Sequence, residues 1–333
     1  MDLEVILSQK ILLQIAKFVT LMFAVSLVTF FLVGMSPIDP VQANVGQQAM
    51  MSMGEERRVQ LASYWGADLP IWERYLNWLV SALQGDFGTS LRYNAPVTEV
   101  VAHRAANSLL LIGSAWAIGG VLGFILGVGA GVKRGSLLDR LVKGYCYLLA
   151  ATPTFWIALL MLMVFAVSLH WFPIGFSAPI GVSDADVTIF DSLYHMVLPA
   201  LTLSLIGVAN IALHTREKTI DVMESDYVRF ARARGMSVAE AVRHHGLKNL
   251  LLPAITLQFA SVSEIFGGSV LVEQVFSYPG IGQATITAGL GGDASLLVAI
   301  ALVSAALVFL GNLCANVLYG VVDPRMRKGE SHG

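Results

Sequence analysis

The chain has 333 residues, 56% of them hydrophobic and only 13% charged, with a mean hydropathy of +0.68. Soluble domains carry about 25% charged residues, so this composition excludes an ordinary soluble enzyme and points to helices that satisfy their own backbone in lipid. The net charge of −2 argues against a nucleic-acid surface, and the only cysteines, Cys146 and Cys314, lie inside apolar runs, which argues against a disulfide framework or a thiolate metal cage.

Six runs approach the roughly 20 apolar residues that a spanning helix needs. They are Ile11 to Gly34, Ser108 to Val132, Tyr145 to Leu169, Met196 to Leu213, Leu250 to Val272 and Ser295 to Val322. Lys17 lies near the start of the first, where its stem can snorkel. The fifth is interrupted by Glu264. Pro153, Pro199 and Pro253 lie within or at the start of these runs, where proline kinks helices. The first run is too long for a signal-peptide core and is followed by a poor cleavage context, Met35-Ser36-Pro37, so it reads as an uncleaved helix.

Charge orients the spans. Lys133, Arg134, Arg140 and Lys143 fall between the second and third runs, and seven Lys and Arg, from Arg216 to Lys248, between the fourth and fifth. The alternate loops carry only acids: Asp184, Asp186 and Asp191, then Glu273 and Asp293. Both termini and both basic loops are therefore expected in the cytoplasm. The loop from Met35 to Asn107 has five basic and seven acidic residues; long loops cross largely regardless of charge, so it is expected outside. Within it Trp72, Tyr75, Trp78 and Leu79 recur at helical spacing after Trp65, which predicts an amphipathic helix over Ile71 to Leu83, lying on the membrane surface or packed on the bundle. The expectation is an all-α membrane protein with six spans, divided into residues 1–104 (first span plus external domain) and 105–328 (a five-helix core).

Motifs for bond-breaking chemistry are missing. Gly131-Val132-Lys133 lacks the order of a phosphate-binding loop, and neither a His-Glu-x-x-His nor a Gly-x-Ser-x-Gly pattern occurs. An intramembrane hydrolase is thus unsupported. Gly119, Gly123, Gly127 and Gly131 recur every fourth residue, which predicts one helix face that lets another helix approach closely. No internal repeat or inverted pair of broken helices is visible, which weakens a secondary-transporter reading.

The basic loop 215–249 is too long for a simple connector. Asp226 is placed to cap a short helix over Tyr227 to Arg234, with Tyr227, Phe230, Ala231 and Arg234 on one face. Gly235 suits a left-handed stop, and Ser237-Val238-Ala239-Glu240 has the spacing of a capping box that starts a second helix. Such a unit is either a docking knob for a soluble partner or a solvated loop obeying the charge rule, and periodicity does not choose between them.

Resemblance does choose. Asp226-Tyr227-Val228-Arg229-Phe230-Ala231-Arg232-Ala233-Arg234-Gly235 resembles the EAA loop of binding-protein-dependent ABC permeases, in the form of the dipeptide/oligopeptide/nickel family. Arg229 and Phe230 stand where the general motif has Glu and Ala, and Leu247-Lys248 stands where it has Leu-Pro; these departures resemble the first permease of each pair. Ser36-Pro37-Ile38-Asp39-Pro40, Gly85-Asp86-Phe87-Gly88-Thr89-Ser90, Pro153-Thr154-Phe155-Trp156, the run Glu273 to Gly282 and Val322-Asp323-Pro324-Arg325 are similar to family motifs too, so the resemblance covers residues 11–327. It implies a MetI-like permease core in the bacterial inner membrane. It further implies a homologous second permease, two ATP-binding subunits that hold the ATP and magnesium, and an extracytoplasmic binding protein. This subunit would bind no cofactor of its own and be no enzyme. Tyr227, Arg229, Phe230, Ala231, Arg234, Gly235, Ser237 and Glu240 would form the ATPase contact. Cargo is left open among dipeptides, oligopeptides, nickel and metal chelates. The class-distinct alternative is a channel or secondary transporter working alone.

Glu264 lies about 20 Å beyond Leu250 along a helix. A carboxylate at that depth is costly unless it faces a partner or a wet cavity. It reads either as lining the pathway, with Ser261 and Gly268 beside it, and favouring a cationic or metal-bearing cargo, or as one half of a structural pair. Some nickel-type members of the resembled family carry Glu at this place. Asn210, His214, Asn312 and Asn316 are polar groups in apolar stretches, for which hydrogen bonding between helices is the commoner explanation and contact with cargo the rarer one.

Overall fold

The computed structural model describes residues 3–36, 43, 53–57, 60, 69–182 and 186–322. Trp65, the Pro37-Ile38-Asp39-Pro40 segment, Asp184 and Asp323-Pro324-Arg325 lie outside the described residues. Four helical stretches are long and apolar enough to cross a membrane: Ile11–Gly34, Val97–Val132, Ile189–Met223 and Ala294–Val317. Two helix pairs also pass, but bent: Leu137–Ala151 with Thr154–Ser168 at 109°, and Asn249–Ala260 with Val262–Val275 at 50°. The described residues thus hold four to six candidate spans, six if each bent pair is one span.

Both bends have local causes. Tyr145 to Leu169 was expected as one run, but Thr152 before Pro153 is extended (φ −103°, ψ 127°), as the residue before a proline prefers. The chain therefore divides into α4 (Leu137–Ala151) and α5 (Thr154–Met161), the latter running into a π-helical turn Leu162–Ser168. At the second bend Ser261, not a proline, interrupts the helix with ψ near zero (−3°). Its hydroxyl donates back to the Gln258 carbonyl at 2.9 Å, the kind of side-chain competition that bends helices. The flanking helices are α9 (Leu247–Ala260) and α10 (Val262–Val275). Pro253 stays inside α9, and Pro199 inside α6 (Ile189–Met223).

The chain groups into two compact units, residues 1–108 with 279–309, and 109–278 with 310–333. That differs from the expected division at 104/105, because 279–309 fall with the N-terminal part. In this unit α2 (Ile71–Leu83) packs on α1 (Leu3–Gly34). Tyr75 and Trp78 turn inward against Phe30, and the Tyr75 hydroxyl lies 3.0 Å from Ser26 Oγ. A two-stranded ribbon, β1 (Thr89–Ser90) with β2 (Ala95–Pro96), precedes α3 (Val97–Val132). Buried Asp293 accepts from Ser90 Oγ at 2.7 Å and Arg92 N at 3.2 Å, and also caps α12 (Ala294–Val322) through Leu296 N at 3.1 Å. An unanticipated short helix, α11 (Ile281–Leu290), is tied to α3 by Ser108 Oγ, which accepts from Ile281 N at 2.7 Å, and by Arg104, which donates to Gln283 at 2.7 Å.

The second unit holds α4, α5, α6, α9 and α10, the segment 224–246 between α6 and α9, and the remainder of α3 and α12. Its largest core gathers Leu111, Ala158, Leu198, Leu203 and Ile265 from α3, α5, α6 and α10, with Phe276 just after α10. The predicted glycine face of α3 lies along α6. A methyl on Gly123 would stand 2.8 Å from Ile211 Cβ. One on Gly127 would stand 2.7 Å from the Ala212 carbonyl oxygen, and one on Gly131 2.8 Å from that of Arg216. Gly119 has looser contact, 3.4 Å from the Ser204 oxygen. Removing Cβ at these positions lets backbone meet backbone, which is how helices associate where lipid removes the hydrophobic drive.

Candidate functional site

The loop 215–249 folds as a compact helical knob. α6 ends at Met223, and after Glu224 and Ser225 the short helix α7 (Asp226–Ala233) begins. The N-cap position belongs to Ser225, one residue before the expected Asp226, which lies instead in the first turn. Ser225 makes no side-chain cap bond; its hydroxyl donates back to the Val222 carbonyl. Asp226 still favours the helix start, where negative charge meets the positive end of the dipole.

Burial divides α7. Val228 is buried with Val222, Ala241 and Leu250, backed by Phe124 and Met236, and Ala231 is buried too. Ala231 therefore faces inward and not with Tyr227, Phe230 and Arg234 as the spacing predicts. Phe230 is 66% exposed and Tyr227 45%. The Arg234 guanidinium lies 5.9 Å from the Phe230 ring centroid, within cation–π range. Gly235 stops the helix in the left-handed region, φ +93°, a conformation glycine adopts without a Cβ penalty. Arg229, Arg232, Gly235, Met236 and Ser237 border an open depression of about 540 Å³.

The following helix starts as its spacing predicts. Ser237 N and Oγ donate to Glu240 Oε2 at 2.9 and 2.7 Å, and Glu240 N donates to Ser237 Oγ at 3.3 Å. The Ser237 hydroxyl and backbone N–H hold the Glu240 carboxyl below the usual carboxylate range. This short α8 (Val238–Ala241) continues through a π-helical turn, Val242–Gly246, into α9.

A second site lies at the Ser261 bend. Glu264, on the first turn of α10, borders a pocket of about 220 Å³ with Thr154, Gly207, Asn210, Ser261 and Gly268. Asn210 Nδ2 donates to Glu264 Oε2 at 3.4 Å, a long contact. Ser263 Oγ reaches Asn312 Oδ1 at 3.5 Å. Glu264, Ser261 and Gly268 thus share one pocket, well separated in sequence from the knob. Among the described residues no three His, Cys, Asp or Glu side chains gather into a metal-ligand set.

One cluster was not singled out from the sequence. Asp139 of α4, 1% exposed, accepts from Arg216 Nε of α6 at 2.5 Å and from Arg216 Nη2 at 3.0 Å. It also accepts from Gly135 N at 2.9 Å, with Lys143 Nζ 3.8 Å away. The signal available was Ser136-Leu137-Leu138-Asp139, a capping-box spacing; Ser136 does cap α4, accepting from Asp139 N at 3.3 Å. The Arg216 partner is 77 residues away and carries no local signal.

Long apolar helices with an exposed basic helical knob define an integral membrane protein. Residues 119–328 match the family described as binding-protein-dependent transport system inner membrane component. The chain is 33% identical to the oligopeptide transport system permease protein AppB of Bacillus subtilis, over 92% of this chain and 96% of that protein. It is 32% identical to the dipeptide transport system permease protein DppB of Escherichia coli, over 96% and 98%. It is 34% identical to the di/tripeptide transport system permease protein DppB of Pseudomonas aeruginosa, over 92% and 94%. The chain belongs to this family of ABC-transporter permeases, whose members are membrane transport components and not catalytic enzymes.

Proposed function

We propose that the chain is the first of two homologous permeases in an ATP-driven peptide importer of the bacterial inner membrane. In this reading it has six spans, both termini in the cytoplasm and an external domain after the first span. Each bent pair counts as one span, and the alternation of basic and acidic loops supports the orientation. Two ATP-binding subunits hold ATP and magnesium, and an external binding protein delivers cargo. Peptides are favoured over nickel or metal chelates because the relatives named above are peptide permeases.

The observation that carries the reading is the knob. Phe230 and Tyr227 stay exposed on a helix whose opposite side is pinned by Val228 and Ala231. Exposed aromatic and Arg side chains on a rigid element are the residue types that anchor protein interfaces. The two-residue link from α6 to α7 gives force applied to the knob a direct route into an apolar helix. A self-sufficient channel or carrier has no use for such a socket. Glu264, Ser261 and Gly268 line the pathway in this reading.

Uptake of labelled dialanine into proteoliposomes tests it. The full complex should import only with ATP, binding protein and both ATPase subunits present. Uptake by this chain without ATPases would overturn the importer reading in favour of a lone carrier.

A further inference from the structure

The Glu264 pocket has a composition that its packing role does not explain. Among the described residues no cationic side chain forms an ion pair with Glu264. Its contact inside the chain is the long one from the neutral Asn210 amide. A carboxylate within an apolar segment needs a countercharge or water, and the ion pairs of Arg216 and Lys143 with Asp139 and of Arg134 with Glu224 lie elsewhere.

The walls are of two kinds. Thr154, Asn210 and Ser261 give hydroxyl and amide groups beside the carboxylate, while Leu203, Ile206 and Leu271 give an apolar side. A methyl on Gly267 would meet nothing within 4 Å, so this position opens onto space. At about 220 Å³ the pocket is smaller than the roughly 300–1,000 Å³ of drug-sized ligand sites. It is the size for one end of a peptide and not for a whole oligopeptide. An ammonium offers three donors and no acceptor, the complement of a carboxylate flanked by oxygen-bearing side chains.

We infer that this pocket binds the N-terminal ammonium of the peptide cargo, with Glu264 as its countercharge and the leucine–isoleucine wall against the first side chain. Asn210 is a positioning residue that orients the carboxylate. The inference rests on the peptide-importer reading and adds a recognition point inside the permease itself. One charged end is a feature shared by all unblocked peptides, so such a site is tolerant of sequence. Its small size leaves the rest of the cargo unheld, which suits a contact made and released in transit.

The test uses the whole complex in nanodiscs, without its binding protein, carrying Gly267→Cys as a reporter. Exposed Cys314 is replaced by Ser, and buried Cys146 is kept. A neutral maleimide labels the reporter. Dialanine should slow labelling, and N-acetyl-dialanine, which lacks the ammonium, should not. Adding Glu264→Gln should weaken the protection by about tenfold or more, the loss expected for a charge-assisted hydrogen bond, and Glu264→Asp should retain part of it. Three results would overturn the proposal: no protection by dialanine, equal protection by the acetylated peptide, or protection that survives Glu264→Gln. ATP-driven uptake is scored separately, with the same complex sealed into proteoliposomes and its binding protein added. A complex that imports dialanine but shows no protection loses only the pocket, whereas one that imports nothing loses the importer reading.

Discussion

Asp139→Ala would remove the acceptor for both guanidinium bonds from Arg216 and for Gly135 N. Arg216 is only 13% exposed, so its charge would be left nearly buried without a partner. Breaking a buried pair in this way costs about 3–5 kcal/mol, because the surviving charge keeps its desolvation penalty. The residual exposure of Arg216 places the expected loss at about 3 kcal/mol, the low end of that range. The same unit contains an internal control. Arg134 and Glu224 pair at 2.5 Å but are 61% and 65% exposed, and exposed pairs contribute about 0–1 kcal/mol. Denaturant unfolding of the purified complex in nanodiscs should therefore separate Asp139→Ala from Glu224→Ala. The double variant Asp139→Ala/Arg216→Met, which removes both charges, should recover most of the loss. Equal effects of Asp139→Ala and Glu224→Ala, or no recovery in the double variant, would refute the reasoning that α4 is locked to α6 by a desolvated ion pair.

Gly127→Leu should destabilise the second unit by about 1–3 kcal/mol or more, since even its Cβ meets the Ala212 backbone; Gly113→Ala, whose added methyl meets nothing within 4 Å, should be neutral or stabilising in the same unfolding assay. The Glu240 carboxyl is held below the usual range by Ser237, so its cap is intact above the ordinary Glu value of about 4.3 and is lost as pH falls through the lowered folded value. Amide-exchange protection over Val238–Ala241 should accordingly persist at neutral pH and fade only in acid, whereas Ser237→Ala should reduce it at neutral pH. Asp293→Ala should free the β1–β2 ribbon by removing the acceptor for Ser90 and Arg92; at about 1–3 kcal/mol per buried group left unpaired, trypsin should cut after Arg92 several-fold faster.

What the sequence disclosed was local. The helix over Ile71–Leu83 follows from aromatic spacing, and its Tyr75 and Trp78 turn inward as one face. Gly235 and the Ser237–Glu240 box announce a stop and a start because their physics is contained within four residues. Errors arose where a neighbour decided. Ala231 shares a helical face with Phe230 by spacing, yet it is buried at 8% exposure while Phe230 stays 66% exposed. The break at Thr152–Pro153 was visible as a proline, but its 109° turn depends on Thr152 taking the extended conformation. Asp139–Arg216 and Ser90–Asp293 join residues 77 and 203 positions apart, and no periodicity reports such pairs. Glu264 stood out because a carboxylate is conspicuous in an apolar run, whereas its pocket with Thr154 and Asn210 required three helices to converge.

The most direct measurement for the central claim is a pull-down of the tagged permease from solubilised membranes, with the intact knob and with Arg229, Phe230 and Arg234 changed together to Ala. All three side chains are exposed, so the change should leave the fold intact. A homologous permease and ATP-binding subunits should accompany the intact protein, and the altered knob should lose the ATP-binding subunits while keeping the second permease. Recovery of the intact protein alone, in a form that transports without them, would contradict the account.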